Sequence, residues 1–421
     1  MRELAHRPRQ GDAVLRGVRY ANGSMDSDWG SIQIDAGRIV HVGTDASLLS
    51  SPRGSSIDID LTGHLVLPGL VNAHDHLQFA LYPRLGDRPY GNYVEWGEEI
   101  HRKFADVIAT HHSVPKRVRL WWGGIRNLLC GVTTVCHHDT LWPELQKEKF
   151  PVRVVQQYGW SHSVALGGDL LKAYEATTAD APFILHACEG IDAQAEQELA
   201  ELNRLGVLGT HTVLVHGLAL DEAGIDLLRE REASLIVCPS SNDFLFHRLP
   251  DMELMNGMEN LSLGNDSPLT AIGDLLDEIR FGMRQCEIAP TKMYAMVTEN
   301  PARALRLRDG EGAVKKDGVG DLIAVLDEGR SPAETLASLS TQDVEFVMIG
   351  GCVQLASESV WHRLPPTARD GLEPLWIDGT IRWLRAPVYE LLRQAEAVLG
   401  EDSVRLGGRP LRSAALRWVG A

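Results

Sequence analysis

Residues 65–81 read LVLPGLVNAHDHLQFAL, and they contain the two histidines, His74 and His76, around which the rest of the chain is arranged. The apolar residues before them predict a buried strand. Side chains along a strand alternate between its faces, so both imidazoles point the same way. Two neutral imidazoles form half of a site for a borderline divalent metal. Taken alone, the pair also fits two surface histidines in a turn, so the other ligands must come from elsewhere.

The composition is that of a globular protein, with 421 residues, 44% hydrophobic and 23% charged. A formal charge of −16 argues against nucleic acid or an anionic membrane as partner. The six cysteines contain no CxxC pair and fit reduced thiols. The chain contains neither an apolar leader nor a long apolar run, so it is predicted to be soluble and cytoplasmic. A small molecule is the expected substrate, and a homodimer is an open alternative.

Strand-like and helix-like segments alternate through the middle of the chain, which predicts an α/β fold with parallel strands, a (β/α)8 TIM-type barrel. Short β segments on both sides of this middle predict a small discontinuous β-sandwich domain built from both chain ends. The predicted boundaries are 1–67 and 311–359 for the two parts of the small domain, 68–310 for the barrel, and 360–421 for a C-terminal extension with a helix and a β segment.

Residues with metal-binding or polar side chains recur where apolar strands end, at His186, His216 and Asp266. In a (β/α)8 barrel the carboxyl ends of the strands share one face, so these residues are expected to meet His74 and His76. Each also has a simpler explanation: a histidine after an apolar strand is often a hydrogen-bonded core residue, and Asp266 precedes Ser-Pro as a helix N-cap would.

At this point the sequence resembles the amidohydrolase superfamily, and more narrowly the mononuclear branch of cytosine and guanine deaminases and triazine chlorohydrolases. The resemblance covers roughly residues 13–355, and its motifs occur in the same order and spacing. They are PGLVNAHDH, GVTTV at 131–135, HACE at 186–189, VLVHG at 213–217, CPSSN at 238–242, LGNDSPLT at 263–270, ENPARAL at 299–305 and GVGDLIAVLD at 318–327.

The resemblance implies a role for each matching residue. Glu189 is the implied proton shuttle, and His216 orients the attacking water and the substrate. The implied metal ligands are His74, His76, His186 and Asp266. No lysine follows a strand in the way that the bridging lysine of binuclear relatives does, so one divalent ion is expected. Zinc is the first choice, with iron or manganese as alternatives, because N and O ligands do not distinguish them.

These groups suit attack by an activated water on an sp² carbon that bears nitrogen. The predicted function is hydrolytic deamination of a nitrogen heterocycle by an amidohydrolase acting on non-peptide C–N bonds. One alternative is hydrolysis of a cyclic amide, an imidazolone, or another C–N or C–Cl bond at the same site. A more distant one is a non-catalytic scaffold. Candidate substrate contacts in the surrounding loops are Trp160, His162, Asn242, His137 and Arg84.

Four further expectations concern local structure. Residues 152–157 are expected to form a strand. Only 25 residues separate Tyr158 from Phe183, so the barrel is expected to be irregular, or short of one strand, near strand 4. Asp75, between the two histidines, is expected to point away from the metal and anchor the structure. Cys188 is expected to pack as a small hydrophobe.

Overall fold

The computed structural model describes residues 11–44, 57–87 and 89–413, which form a mixed α/β structure. The strands that precede His74 and His76 occur where apolar and polar residues alternate in the sequence. They are β1 (Ala13–Ala21), β2 (Ser27–Asp35), β3 (Arg38–Gly43), β4 (Ile57–Asp60) and β5 (His64–Pro68).

The middle of the chain alternates strands with helices. In order it contains β6 (Leu70–Asp75), α1 (Tyr93–Lys103), α2 (Ala105–His112), α3 (Lys116–Leu129), β7 (Val132–His137), β8 (Arg153–Val154), β9 (Gly159–Ser163), α4 (Leu170–Glu175), β10 (Phe183–Ala187), α5 (Ala193–Leu205), β11 (Thr212–His216), α6 (Glu222–Glu230), β12 (Ser234–Val237), α7 (Pro239–Phe246), β13 (Leu261–Leu263), α8 (Leu275–Gln285), α9 (Pro290–Met296) and α10 (Glu299–Ala304). Short 3-10 helices span Leu77–Phe79 and Pro143–Gln146.

The last part of the chain is richer in strands. It contains β14 (Leu322–Leu326), α11 (Pro332–Ser338), β15 (Phe346–Ile349), β16 (Cys352–Ser357), α12 (Glu358–Arg363), α13 (Pro366–Arg369), β17 (Glu373–Ile377), β18 (Thr380–Leu384), α14 (Val388–Leu399), β19 (Arg405–Leu406) and β20 (Arg409–Ser413). A 3-10 helix spans Thr341–Asp343. No helix in the described ranges combines the length and apolar character needed to cross a bilayer.

The strands of the middle part are parallel. β6, β7 and β8 form one sheet, and β9 to β13 form a second in the order β13-β12-β11-β10-β9. An isolated parallel bridge between Asp75 and Asp266 brings the end of β6 beside the segment that follows β13. Strands β10 and β11 are buried along their whole length, as their nearly continuous apolar runs predict for a parallel sheet covered on both faces.

Strands from both chain ends share one 12-stranded sheet. β5 pairs with β14 in antiparallel register, Leu67 opposite Ile323, and β5 also pairs with β1 in parallel register. β18 pairs with β16, so the predicted C-terminal extension continues the same sheet through β17 and β20.

The strand expected at residues 152–157, just before the region of strand 4, is shorter than predicted. Only Arg153–Val154 is a strand there, and one further backbone hydrogen bond joins the N–H of Val155 to the carbonyl oxygen of Val135. The carbonyl oxygen of Val154 accepts a local hydrogen bond from the side-chain amide of Gln156 at 2.7 Å. A further strand, β9, follows at Gly159–Ser163 and pairs with β10. In the described chain no helix lies between β8 and β9.

Candidate metal centre

Four side chains from three separate parts of the chain meet at the carboxyl ends of the parallel strands. The ligand-type atoms of His74, His76, His186 and Asp266 all lie within 4.8 Å of one another, and all four residues are buried. His74 and His76 lie at the end of β6 and His186 lies in β10, whereas Asp266 follows β13. The four residues predicted as ligands are therefore together in space.

The separations between these atoms fit a divalent ion. The Nε2 atom of His74 lies 3.1 Å from Nε2 of His186 and 3.4 Å from Oδ1 of Asp266. Nε2 of His76 lies 3.5 Å from the same carboxylate oxygen. Two ligands at about 2.1 Å from one ion in tetrahedral geometry are roughly 3.4 Å apart. Three nitrogen donors and one oxygen donor at these distances can hold zinc or a similar ion.

Burial favours the neutral form of the histidine rings, which is the form that binds a metal. Burial, followed by the charge of neighbouring histidines, holds the pKa of His76 and His186 well below the ordinary value. Neutral imidazole is the form that binds a metal, so these rings are available across the physiological pH range.

Asp266 is oriented by two hydroxyl groups. The Oδ2 atom accepts hydrogen bonds from Ser241 at 2.6 Å and from Thr270 at 3.0 Å, and Oδ1 faces the histidines. Burial acts to raise the pKa of this carboxyl, but the hydrogen bond from His74 and the charges of the surrounding histidines outweigh it and lower the pKa well below the ordinary value. Ser241 lies in the CPSSN motif at 238–242. The motif contributed to the family resemblance but did not indicate that Ser241 donates a hydrogen bond to Asp266.

Glu189 and His216 face each other beside the ligands. Nε2 of His216 lies 3.6 Å from Oε1 of Glu189, and both side chains are buried. Burial, and secondarily the charges of Asp266 and Glu198, raise the pKa of Glu189 well above the ordinary value. Burial lowers the pKa of His216 to about 4. The pair thus combines a carboxyl whose burial favours the protonated form with an imidazole that is neutral at neutral pH.

Three residues at this end of the strands adopt the left-handed backbone conformation that non-glycine residues avoid. The φ angles are 54° for Cys188, 78° for His216 and 53° for Asp266. Such residues cost on the order of 1–3 kcal/mol each and are concentrated at functional sites. The side chain of Cys188 is 1% exposed, in accord with the expected hydrophobic packing, and its backbone N–H donates to Glu198 at 2.7 Å.

Of the candidate substrate contacts, Asn242 lies deepest in the site. Its Oδ1 atom is 2.9 Å from Nδ1 of His216, so it contacts a predicted catalytic residue directly, while its Nδ2 has no protein partner. The exposed ring of His162 lies with its centroid 5.3 Å from that of His186.

The other three candidates are spread more widely. Trp160 is half-buried and contacts the ring of His138, which itself stacks on His186 with centroids 4.3 Å apart. His137 is fully buried, and neither ring nitrogen has a protein partner. Arg84 is exposed, with its guanidinium 4.7 Å from the ring centroid of Phe244.

Known proteins resemble this chain in both sequence and fold. The sequence profile of the amidohydrolase family matches residues 165–353. A 5-methylthioadenosine/S-adenosylhomocysteine deaminase of Syntrophobacter fumaroxidans is 26% identical over 71% of this chain and 80% of its own length. A 5'-deoxyadenosine deaminase of Methanothermobacter thermautotrophicus is 27% identical over 77% of this chain and 89% of its own length.

Among solved structures, a zinc complex of atrazine chlorohydrolase from Arthrobacter aurescens aligns with a TM-score of 0.69 at 16% identity, over 92% of this chain and 99% of that chain. A zinc-bound adenosine deaminase from Xanthomonas campestris aligns with a TM-score of 0.68 at 18% identity, over 93% of this chain and 98% of the other. At these identities the structural likeness concerns the fold. Together with the sequence matches, it makes this chain similar to amidohydrolases in sequence and in fold.

Proposed function

We propose that this protein is a metal-dependent aminohydrolase of the mononuclear branch, which uses one divalent ion, zinc in the first instance, to deaminate a nitrogen heterocycle by hydrolysis. The observation that carries the proposal is the buried group His74, His76, His186 and Asp266, with Glu189 next to it. These residues would hold the ion, which would supply Lewis-acid chemistry and lower the pKa of a water molecule towards neutrality.

The protein groups supply the proton transfers. Asp266, whose pKa is lowered, is ionised and accepts the proton of the attacking water through Oδ1. Glu189, whose pKa is raised, holds a proton that it delivers to the leaving nitrogen, because an amide anion is too basic to leave unprotonated. His216 keeps its Nε2 atom towards Glu189 and orients the substrate, while Asn242 holds the opposite ring nitrogen.

An aminated purine is the substrate class that the relatives favour, since several of them are named as deaminases of adenosine derivatives. Trp160, whose ring contacts His138, and His162, whose ring contacts His186, supply rings on which a planar base would stack. We infer that these two residues contact the substrate, and that His137 and Arg84 influence its binding without touching it.

The fold supports the same assignment. We infer that β6 to β13, eight parallel strands whose first and last members meet at the Asp75–Asp266 bridge, form the barrel within residues 68–310. The strands of residues 13–67 and 311–359 would form the small β domain, with residues 360–421 appended to it. A homodimer and a cytoplasmic location stay predictions from the sequence.

The test is metal analysis of the purified protein followed by an activity screen. We expect one zinc or similar ion per chain, and release of ammonia from 5'-methylthioadenosine, S-adenosylhomocysteine, 5'-deoxyadenosine or adenosine. Ring-opened products from cyclic amides without ammonia would instead support the alternative hydrolysis. Absence of a stoichiometric metal at neutral pH would contradict both and favour a scaffold.

A matched pair of histidine variants connects the metal to these residues. His186→Ala should lose the bound ion and the activity together, because it removes one of four ligands. His101→Ala should keep both, since His101 is an exposed residue of α1 whose ring contacts only its own helix at Gly97. Full metal content in His186→Ala would contradict the proposed ligand set.

A further inference from the structure

A second group of polar side chains lies directly behind the metal ligands, and none of its members faces the ligand atoms. Asp75, between His74 and His76, is fully buried and receives a hydrogen bond from Arg126 of α3 at 2.7 Å. Its other carboxylate oxygen accepts from Asn127 at 2.7 Å and from Asn72 at 3.2 Å. We call Asn72, Asp75, Arg126 and Asn127 the Asp75 network.

The Asp75 network is bonded to the backbone of both ligand segments. The Oδ1 atom of Asn72 accepts from the backbone N–H of His74 at 3.4 Å and from that of Asn265 at 3.2 Å. Arg126 donates to the carbonyl oxygen of Asp266 at 3.3 Å. The same four side chains therefore touch the strand that carries two ligands and the segment that carries the fourth.

These contacts lie where the first and last parallel strands meet. Within the described residues, β6 and the segment after β13 are joined by the isolated Asp75–Asp266 bridge, together with two hydrogen bonds from the backbone N–H groups of Asn265 and Asp266 to the carbonyl oxygen of His74, at 3.0 and 3.1 Å. So few backbone hydrogen bonds constrain the register and the spacing of these two segments only weakly. A buried ion pair with several directional hydrogen bonds constrains both, although desolvation offsets much of its contribution to stability.

We propose that the Asp75 network is a positioning device that sets the distance between the His74–His76 pair and Asp266, and thereby the affinity of the site for its metal ion. This inference rests on the proposed metal site. Arg126 is the central positioning residue, because its guanidinium contacts Asp75 and the Asp266 carbonyl together. Both contacts come from Nη2 of Arg126, and a lysine ammonium keeps the charge but lacks the planar guanidinium that holds this nitrogen in place.

The chain contains a matched control at the opposite end of β6. Asp321, whose backbone carbonyl accepts from Gly69 just before that strand, is also buried and paired with an arginine. Arg153 donates to its two oxygens at 2.7 and 3.1 Å, and Gly350 donates its backbone N–H at 2.8 Å. This pair resembles Asp75–Arg126 in chemistry and in the burial of its carboxylate, while the Arg153 side chain is 21% exposed against 2% for Arg126. Its hydrogen bonds among the described residues include no predicted ligand.

The experiment compares four conservative variants with the unaltered protein: Asp75→Asn and Arg126→Lys against Asp321→Asn and Arg153→Lys. The zinc Kd of each metal-free protein is measured by competition with a chromogenic chelator, and its melting temperature is measured without metal. Substitutions of groups that orient metal ligands typically weaken metal binding about 10- to 100-fold. We expect that loss for the Asp75 and Arg126 variants and a change within about twofold for the controls, with melting temperatures lowered in both pairs.

The outcomes separate the two proposals. If the unaltered protein binds no zinc, the proposed function and this inference both fail. If it binds zinc and all four variants lose affinity equally, or none does, the positioning role alone is wrong. Should Asp75→Asn not fold, Asn127→Ser removes a single hydrogen bond to the same carboxylate and is expected to weaken zinc binding about tenfold; an unchanged Kd would overturn the inference.

Discussion

The Nε2 atoms of His74 and His186 lie 3.1 Å apart although 112 residues separate them in the chain. Each ring comes from the carboxyl end of a different parallel strand, and both rings are buried. Two neutral imidazoles at this distance can share one hydrogen bond, and with both Nε2 lone pairs turned inward they can bind one cation instead. The candidate metal site thus depends on a tertiary structure that brings together the ends of β6 and β10, strands of two different sheets.

Replacement of Glu189 by glutamine should abolish proton delivery while leaving the metal in place. The side chain keeps its shape but cannot protonate the leaving nitrogen, so we expect kcat to fall about 10²- to 10⁴-fold. Ammonia release and zinc content are measured on the same preparation. Glu196→Gln, at an exposed position in the first turn of α5, is the control and should be unchanged. Loss of zinc along with activity would mean that Glu189 is a ligand instead.

Asn242→Ala tests whether this amide acts through His216 or on the substrate. Its Oδ1 atom accepts from Nδ1 of His216, which fixes the neutral tautomer with Nε2 unprotonated towards Glu189. Loss of one buried hydrogen bond should lower kcat about tenfold, with KM little changed. The tautomer is read by nitrogen NMR of the His216 ring. Asn203→Ala, at the exposed end of α5, should alter neither; a rise in KM alone would assign Asn242 to substrate binding.

Stability should decrease from acid to mildly alkaline pH because of Glu278. Burial raises the pKa of this carboxyl from 4.5 to about 8 in the folded protein. Between those values the folded state binds more protons than the unfolded chain, so the free energy of unfolding falls as pH rises through this window, by at most about 1.4 kcal/mol per pH unit. Urea unfolding at pH 5 and 8 measures the change.

The Glu278→Gln variant should make that pH dependence smaller, because it removes the titrating group while an amide oxygen still accepts from the backbone N–H of Ser240. Glu201→Gln, in the exposed Arg204 pair, serves as the control and should retain the full slope. An equal slope in both variants would show that other buried groups dominate the pH dependence.

The ion pairs of Arg409 should stabilise the packing of the β19–β20 hairpin against α8. Arg409 pairs with Asp274 at 3.0 Å and with Asp277 at 2.7 Å, and the Asp274 side chain is only 4% exposed. Arg409→Ala leaves a buried carboxylate without its charge partner, so we expect a loss of about 3 kcal/mol in the free energy of unfolding. Arg412→Ala, which breaks an exposed pair with Asp402, should cost less than about 1 kcal/mol. Equal losses would mean that the Arg409 pair contributes little.

The local pattern of the sequence was sufficient for the elements that carry the ligands. The apolar runs before His186 and His216 predicted β10 and β11, because a strand buried on both faces needs nearly continuous apolar residues. The expected strand at 152–157 was wrong in extent: only Arg153–Val154 is a strand, and the Val154 carbonyl accepts from the side chain of Gln156. Residue types alone do not reveal which backbone carbonyl a glutamine will occupy.

The sequence by itself predicted the candidate site. His74, His76, His186 and Asp266 follow predicted strands, and strand periodicity is a local property. The resemblance to amidohydrolases then implied their roles as ligands and that of Glu189 as proton shuttle. Only the tertiary structure decided what holds these groups. Three sets of contacts join separate segments of the chain: Ser241 on Asp266, Asn242 on His216, and Arg126 on both Asp75 and the Asp266 carbonyl. Their partners depend on how strands and helices pack in three dimensions, and no local sequence pattern encodes that packing.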